Sequence, residues 1–348
     1  MKKILALVLA AAMALSLIAC GQKQEQDGGN TNENVVETPK TLQIGVTTQE
    51  DMADPFYMVA AMIKQYVEEH GDGSLTVEVL ANSQLGGERE MFEGQQLGTV
   101  DMSVISNAVV SNFIPACGML DLPFLFDDYQ MAVDFLTGDI GQAVMDAYEG
   151  SGVKALGMCI NGFRQLVTVG TPVYGPDDMK GMKIRCMENA IYLGTYQAIG
   201  ANPLPMAWSE VITALQQKTV QGLDGGVSVF YSSGFGDILD YVTLTNQFCA
   251  ANTVTISESV WNGLSENQQN LLSEAVKWAC AEELAVQGEN DKEKIGLLEE
   301  QGVTIIREDQ VDFDAFRAAL GDFYEEQKPT VGAEYVDMIL DAVANYGK

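Results

Sequence analysis

The residues best placed to do chemistry in this sequence are an arginine and a tryptophan near its middle. Arg185 ends the strand-like run Lys-Gly-Met-Lys-Ile-Arg at 180–185, and Trp208 follows Asn-Pro-Leu-Pro-Met-Ala at 202–207. A guanidinium is planar and permanently charged, and it binds a carboxylate through two parallel hydrogen bonds. An indole adds a flat apolar wall. The pair predicts a site for a small carboxylate; the alternative is a structural arginine paired with an acidic side chain and a tryptophan of the core.

The chain offers few residues for catalysis. Its single histidine, His70, follows an amphipathic segment beside a glycine turn, and no cysteines have the spacing of a metal or redox motif. The sequence therefore lacks the histidine and cysteine residues that a zinc site or a histidine-based catalytic triad needs. It also contains no glycine-rich phosphate-binding loop. Asp and Glu residues are abundant, so their number alone does not exclude the pair of catalytic carboxylates that a glycosidase uses. We expect a binding protein with no metal or cofactor, rather than an enzyme.

The first forty residues predict export and anchoring. Lys2 and Lys3 precede an apolar run that is too short to cross a bilayer but fits a secretory signal peptide over 1–19. Small residues before Cys20 resemble the cleavage site of bacterial lipoproteins, whose new N-terminal cysteine carries lipid; the alternative is an ordinary signal peptide with an incidental cysteine. Residues 20–40 are polar and predict a disordered tether behind the lipidated cysteine. We therefore expect an extracytoplasmic protein anchored to the cell membrane by lipid.

Charge and length limit the remaining partners. The formal net charge of −30 argues against binding nucleic acid or docking on anionic lipid headgroups. It fits either a cationic ligand or, more simply, a solvated acidic surface. Residues 41–348 are enough for two lobes. The five cysteines after Cys20 include at least one free thiol, and we expect most of them to be small buried hydrophobic side chains.

Strand-like and helix-like runs alternate through this body. The predicted strands cover 41–46, 74–80, 101–105, 153–159, 166–169, 182–185, 241–245 and 252–256. The predicted helices include 88–97, 189–199 and a very long one over 265–300. The alternation predicts an α/β fold with a parallel or mixed sheet. Ligands of such sheets bind at the carboxyl ends of strands, often between lobes, and Arg185 lies at such an end.

Longer motifs give most of residues 41–310 a resemblance to a known family. They lie at 82–91, 97–102, 122–126, 161–164, 177–185, 202–211 and 214–217. These motifs resemble the solute receptors of tripartite ATP-independent periplasmic (TRAP) transporters, the DctP-type family. The resemblance implies a two-lobed periplasmic-binding-protein fold with a hinge and a long helix that spans both lobes. It implies lobe I from 41–162 plus 251–290 and lobe II from 163–250 plus 291–348.

The resemblance also implies roles for single residues. Arg185 aligns with the family arginine that forms a salt bridge with the ligand carboxylate, and Arg164 aligns with a second arginine near it. For Arg164 the alternative is a structural ion pair at the hinge. Trp208 aligns with an aromatic residue that lines the pocket. The further candidates for hydrogen bonds to the ligand are Asn189, Ser106, Asn107 and Thr47.

The chain departs from the family pattern at two places. Many relatives read Val-Asp-Gly-Gln-Glu-Asn-Pro where this chain reads Val-Gln-Gly-Leu-Asp-Gly-Gly at 220–226, so Gly225 replaces an asparagine that donates to the ligand. Either the pocket is larger there or only backbone contacts the ligand. Ser106 and Val109 replace the acidic and basic contacts of sialic-acid receptors, which argues against that ligand.

The sequence thus predicts a monomeric TRAP receptor that binds an organic acid anion between two lobes and delivers it to the small and large membrane permease subunits. Neutral polar and aromatic candidates around Arg185 favour a sugar acid, such as a uronate or an aldonate. A C4-dicarboxylate or another carboxylate stays open. So do a receptor of an ATP-driven transporter or of a sensor system, and a lipoprotein hydrolase.

Overall fold

The computed structural model describes residues 38–348; the predicted signal peptide, Cys20 and the tether up to residue 37 lie outside the described residues. The strands of this part are β1 (Lys40–Gly45), β2 (Leu75–Leu80), β3 (Met102–Ser106), β4 (Val153–Thr168), β5 (Lys183–Cys186), β6 (Asn202–Pro205), β7 (Gly222–Gly226), β8 (Tyr241–Ser257) and β9 (Thr304–Ile306). They form one sheet in the order β2-β1-β3-β8-β4-β7-β5-β6, with β9 beside β8.

Helices connect and flank these strands. They are α1 (Pro55–His70), α2 (Glu88–Leu97), α3 (Asn107–Val110), α4 (Tyr129–Thr137), α5 (Asp139–Asp146), α6 (Ala190–Ile199), α7 (Val211–Gln216), α8 (Val227–Ser232), α9 (Glu258–Trp261), α10 (Glu266–Glu300), α11 (Phe313–Leu320), α12 (Phe323–Val331) and α13 (Ala333–Asn345). Short 3-10 helices cover Pro115–Asp121, Pro176–Met179, Trp208–Glu210, Phe235–Asp237 and Glu308–Gln310. Among residues 38–348, no helix has the length and apolar character needed to span a bilayer.

The sheet has a parallel group of strands on either side of two long antiparallel strands. β1 pairs in parallel with β2 and β3, and β5 pairs in parallel with β6 and β7. β4 and β8 pair with each other and link the two groups. The predicted α/β fold with a mixed sheet is therefore confirmed.

The two long strands correct the predicted strand pattern. Two strands were expected at 153–159 and 166–169, but β4 runs through both, and β8 likewise joins 241–245 to 252–256. The pairing instead continues past irregular register between Ile160 and Phe163, where Gly162 adopts the positive φ of 74° that an L side chain rarely tolerates. The predicted lobe boundary at 162/163 falls in this bulge, and the lobe limits stay a prediction.

The predicted long helix is confirmed as α10. Ser265 caps its N-terminus by accepting from the backbone N–H of Gln268, whose side chain reaches back to the Ser265 N–H. The first half of α10 packs on α1 and the early strands, in an apolar cluster that includes Leu272 and Val276. Its last turns pack on β7 to β9 and α8, in a second cluster that includes Leu298. One helix therefore contacts both strand groups.

Candidate functional site

A cavity lies where the carboxyl ends of the two parallel strand groups meet. Thr47 follows β1, Ser106 ends β3, Arg185 is the penultimate residue of β5, and Gly226 ends β7. All four line a narrow cavity of about 30 Å³. An adjoining space of about 20 Å³ shares Thr47 and Arg185 with it. The site thus has the position that the α/β fold predicts. Five of the seven residues predicted for the ligand site line it: Thr47, Ser106, Arg164, Arg185 and Trp208.

Arg185 is a buried cation without an acidic partner. Its Nε and Nη2 both donate to the backbone oxygen of Met206, at 3.0 and 2.7 Å. Within residues 38–348, it forms no ion pair with a carboxylate. Burial, together with the charge of Arg164, lowers its pKa to about 10, and the more distant charges of Asp224 and Glu88 offset this shift only in part. The cavity therefore presents a desolvated guanidinium that an anionic ligand would neutralise.

Trp208 is both a core residue and a wall of the cavity. Its ring stacks on Phe235 with centroids 5.4 Å apart, and it packs against the apolar clusters of both strand groups. The Arg185 guanidinium carbon lies 5.8 Å from the ring centroid. The two interpretations of this tryptophan are compatible, because one face serves packing while the residue still borders the cavity.

Arg164 forms the buried ion pair that was the alternative to ligand binding. Its Nε lies 2.5 Å from Asp224 Oδ2, and its Nη2 donates to the Asp224 backbone oxygen at 2.6 Å. Burial is the largest single effect and lowers the pKa of Arg164, but the charge and hydrogen bond of Asp224, together with Tyr192 and Tyr196, outweigh it, so the net shift is upward. The guanidinium also lies over the ring of Tyr192. Since Arg164 borders the cavity as well, its contact with a ligand stays a prediction.

The Ser106 hydroxyl donates a hydrogen bond to the carboxylate of Glu88, a residue that was not among the predicted site residues. Glu88 Oε1 accepts from the Ser106 backbone N–H at 2.8 Å and from its hydroxyl at 2.7 Å. Burial raises the pKa of Glu88, while these hydrogen bonds oppose the rise. Glu88 is the first residue of α2, where an acidic side chain is usually explained by the helix dipole. The sequence alone therefore gives no sign that Glu88 also lines the cavity.

Two polar side chains on the cavity wall have unused hydrogen-bonding groups. Thr47 has no hydrogen bond from its hydroxyl to the described part of the chain, whereas the neighbouring Thr48 hydroxyl donates to Asp54. Asn161 was not a predicted site residue, and its buried side-chain oxygen has no partner among residues 38–348. Its position in the motif Asn-Gly-Phe-Arg, beside Arg164, is the signal that could have identified it. Such groups suit the hydroxyls of a polar ligand.

Asn107 and Asn189 do not reach the cavity. Asn189 caps α6 with its side-chain oxygen, and its amide donates to Ala108, Ser111 and Asp121. The Asn107 amide donates to the backbone oxygen of Cys117. Asn107 Oδ1 has no partner among residues 38–348, but neither asparagine lines the cavity, so this geometry gives no support to their predicted ligand contacts.

The departure at Gly225 does not enlarge the cavity. A Cβ at this position would lie 2.7 Å from the ring of Phe230, which is fully buried. The ring occupies the direction that a longer side chain would need. A Cβ on Gly226 would lie 2.4 Å from the Asn161 backbone oxygen. Both glycines line the cavity with their backbone. This fits the alternative in which only backbone, and no side chain, is available to the ligand at this position.

Comparison with known proteins agrees with this architecture. Residues 47–329 match the model of a family described as bacterial extracellular solute-binding protein, family 7. A solute-binding protein of Verminephrobacter eiseniae is 34% identical over 276 residues, covering 79% of this chain and 82% of that protein. A TRAP periplasmic solute-binding protein from a Polaromonas species, bound to D-erythronate, is similar with a TM-score of 0.82 and 31% identity, over 86% of this chain and 98% of that one.

A second solved structure contains a different ligand. A TRAP periplasmic solute-binding protein from Shewanella oneidensis, with bound succinate, has a TM-score of 0.82 and 25% identity, over 88% of this chain and all (100%) of that one. These likenesses confirm the predicted two-lobed fold.

Proposed function

Because the chain belongs to the DctP family, bacterial extracellular solute-binding protein family 7, and is a TRAP-type solute receptor as its motifs predicted, we propose that it binds a sugar acid through Arg185. The observation that carries this proposal is the unpaired guanidinium of Arg185 in the cavity. A buried charge without a counter-ion is unfavourable, so a carboxylate that enters the cavity gains both charge neutralisation and hydrogen bonds.

The charges around the cavity favour one carboxylate over two. Asp224 already neutralises Arg164, so Arg164 is not a second free cation. Glu88 adds a half-buried acidic group to the same wall. A dicarboxylate would place its second charge near Glu88 and Asp224 without a dedicated partner. A monocarboxylate adds a single charge, for which Arg185 is available.

The rest of the ligand meets groups suited to hydroxyls. Thr47 and Asn161 have unused hydrogen-bonding groups, and Glu88 is an acceptor. Trp208 offers an apolar face for the carbon skeleton of a sugar acid. The relative with bound D-erythronate is consistent with an aldonate, whereas the relative with bound succinate shows that the fold alone does not choose the ligand. The choice here rests on the local charges.

A thermal-shift screen tests the ligand class. Erythronate, galactonate and galacturonate, at equal concentration with succinate and malate, should raise the melting temperature more than the two dicarboxylates. A ligand that binds only the folded protein stabilises it by RT ln(1 + [L]/Kd), so the ranking of shifts follows affinity. Strong shifts with succinate or malate and none with the sugar acids would refute the sugar-acid proposal and leave the role of Arg185 intact.

The variant Glu88→Gln sharpens this screen. It removes the acidic group while keeping the size of the side chain and an oxygen that accepts from Ser106. If Glu88 disfavours a second carboxylate, the variant should bind succinate better relative to erythronate than the unmodified chain does. An unchanged ratio would show that the charge of Glu88 plays no part in selection.

We further propose that the receptor delivers its ligand to the small and large TRAP permease subunits, as a monomer held to the membrane by lipid on Cys20. The two groups of strands would move about the bulge in β4 when the ligand enters and leaves. The lobe I and lobe II limits predicted above describe the bodies that would move. The anchor places the body on the extracytoplasmic side, where the permease can be reached.

Cys20→Ala should release the protein from membranes. Two or three acyl chains hold a protein stably to a bilayer, and without Cys20 no lipid is attached. The measurement is the distribution between membrane and soluble fractions of cells. Gln26→Ala, in the predicted tether, is the matched control and should stay with the membrane. Retention of Cys20→Ala on membranes as firm as that of the control would contradict lipid anchoring.

A further inference from the structure

We propose that Cys159 and Cys280 are a dithiol site that takes a small-molecule disulfide as its oxidant and becomes an intramolecular disulfide. Cys159 lies on β4 and Cys280 on α10, in the same buried apolar cluster. A Cβ on Gly157, which is two residues before Cys159 on β4, would lie 3.2 Å from the Cys280 sulfur. Alternate residues of a strand point to the same side. Cys280 therefore lies over the face of β4 that carries Cys159.

The two thiols lie in one apolar cluster and interact with each other. The other three cysteines of residues 38–348, Cys117, Cys186 and Cys249, belong to a different apolar cluster. The fold therefore brings one pair of sulfurs together and keeps the remaining three apart from it. This selectivity is what a site needs if oxidation is to yield one product.

Thiol–disulfide exchange supplies the chemistry in two steps. The Cys280 thiolate attacks one sulfur of the small disulfide, which breaks the S–S bond and releases one small thiol. The Cys159 thiolate then attacks the Cys280 sulfur, forms the protein disulfide and releases the second small thiol. The two protons lost by the cysteines end on the two small thiols. The protein is oxidised by two electrons and the small disulfide is reduced by two.

The exchange should be faster in the unfolded chain than in the folded protein. The interaction with Cys280 and burial both raise the pKa of Cys159, so the folded protein holds little thiolate. Cys280 is also almost completely buried. The disulfide should therefore form while the chain folds in an oxidising compartment, and folded reduced protein should react slowly.

A disulfide between Cys159 and Cys280 would restrict movement of α10 relative to β4. Cys159 lies two residues before the bulge at Asn161 and Gly162, where the long strands cross between the strand groups. A covalent link to α10 would fix the helix to β4 at that point. The link would restrict sliding of α10 along the sheet while leaving the cavity residues untouched.

Peptide mapping tests the site on the full chain. Reduced, denatured protein is refolded with oxidised glutathione, free thiols are alkylated and the digest is examined by mass spectrometry. We expect a cross-linked peptide pair that contains Cys159 and Cys280, a chain lighter by two hydrogen atoms, and alkylation of Cys117, Cys186 and Cys249. Folded reduced protein treated in the same way should show the link only after much longer exposure.

Variants and the alternative products complete the test. Cys280→Ser should lose the cross-link, whereas Cys249→Ser should keep it. Should Cys280→Ser fail to fold, the map of the unmodified chain still decides. Alkylation of all cysteines, glutathione adducts without an internal link, or a link between other cysteines would each overturn the proposal. The readout does not involve ligand binding, so it stands or falls independently of the proposed function.

Discussion

Arg185→Ala should weaken the binding of the carboxylate ligand at least about a hundredfold. Charge-assisted hydrogen bonds contribute about 1.5–3 kcal/mol. Leaving one partner of a buried ion pair uncompensated costs about 3–5 kcal/mol. Because about 1.4 kcal/mol corresponds to a factor of ten, even the lower part of this range reaches a hundredfold. Isothermal calorimetry with the strongest ligand of the thermal-shift screen measures the change directly.

The same substitution should not destabilise the unliganded protein much. Arg185 is buried and forms no direct ion pair among residues 38–348, and burial lowers its pKa to about 10 although the charges of Asp224 and Glu88 partly oppose the shift. Loss of affinity with little loss of stability would distinguish a ligand-binding residue from a structural one. Arg185→Lys should also bind less tightly, because a point charge cannot reproduce the planar fork.

Arg307→Ala is the matched control for an arginine outside the site. Arg307 is exposed and pairs with Glu299 at 2.7 Å. Its removal should change affinity only within measurement error, because the pair lies outside the cavity lining. If Arg185→Ala bound within a few-fold of the unmodified chain, or lost no more affinity than this control, the proposed role of Arg185 would be wrong.

The sequence predicted those parts of the site that depend on local chemistry. Arg185 at a strand end and Trp208 after a proline-rich turn were identified because residue type and position together indicated carboxylate binding. Asn189 and Asn107 have suitable chemistry but do not line the cavity: one caps a helix and the other donates to the backbone of a 3-10 helix, so their ligand contacts stay a prediction. Whether a polar side chain is occupied depends on its tertiary neighbours, and those neighbours are distant in sequence.

Glu88 and Phe230 show the other limit of sequence reasoning. An acidic residue at a helix start has an adequate local explanation, and a phenylalanine in an apolar segment reads as core. Only the fold brings Glu88 to Ser106 and Phe230 to Gly225. The long strands β4 and β8 were likewise divided in the prediction, because a bulge is stabilised by its partner strand rather than by its own residues.

Arg164→Ala should have the opposite signature to Arg185→Ala, with a large loss of stability. It would leave the fully buried carboxylate of Asp224 without its cation, and Asp224 Oδ1 already lacks a hydrogen-bond partner among residues 38–348. Breaking a buried ion pair by removing one partner costs about 3–5 kcal/mol. Urea denaturation should therefore show a fall of about that size in the free energy of unfolding, with the exposed Arg307→Ala costing no more than about 1 kcal/mol.

A double substitution separates the ion pair from the individual charges. Arg164→Met with Asp224→Leu replaces both charges by apolar side chains of similar size, which for buried ion pairs is often neutral or stabilising. The double variant should therefore recover much of the stability that Arg164→Ala loses, since no uncompensated carboxylate remains. It should still bind the ligand if Arg185 is the main clamp. A double variant with intact stability but no binding would instead show that Arg164 contacts the ligand carboxylate directly. A stability loss in Arg164→Ala no larger than that of the exposed control would contradict the buried pair as a structural element.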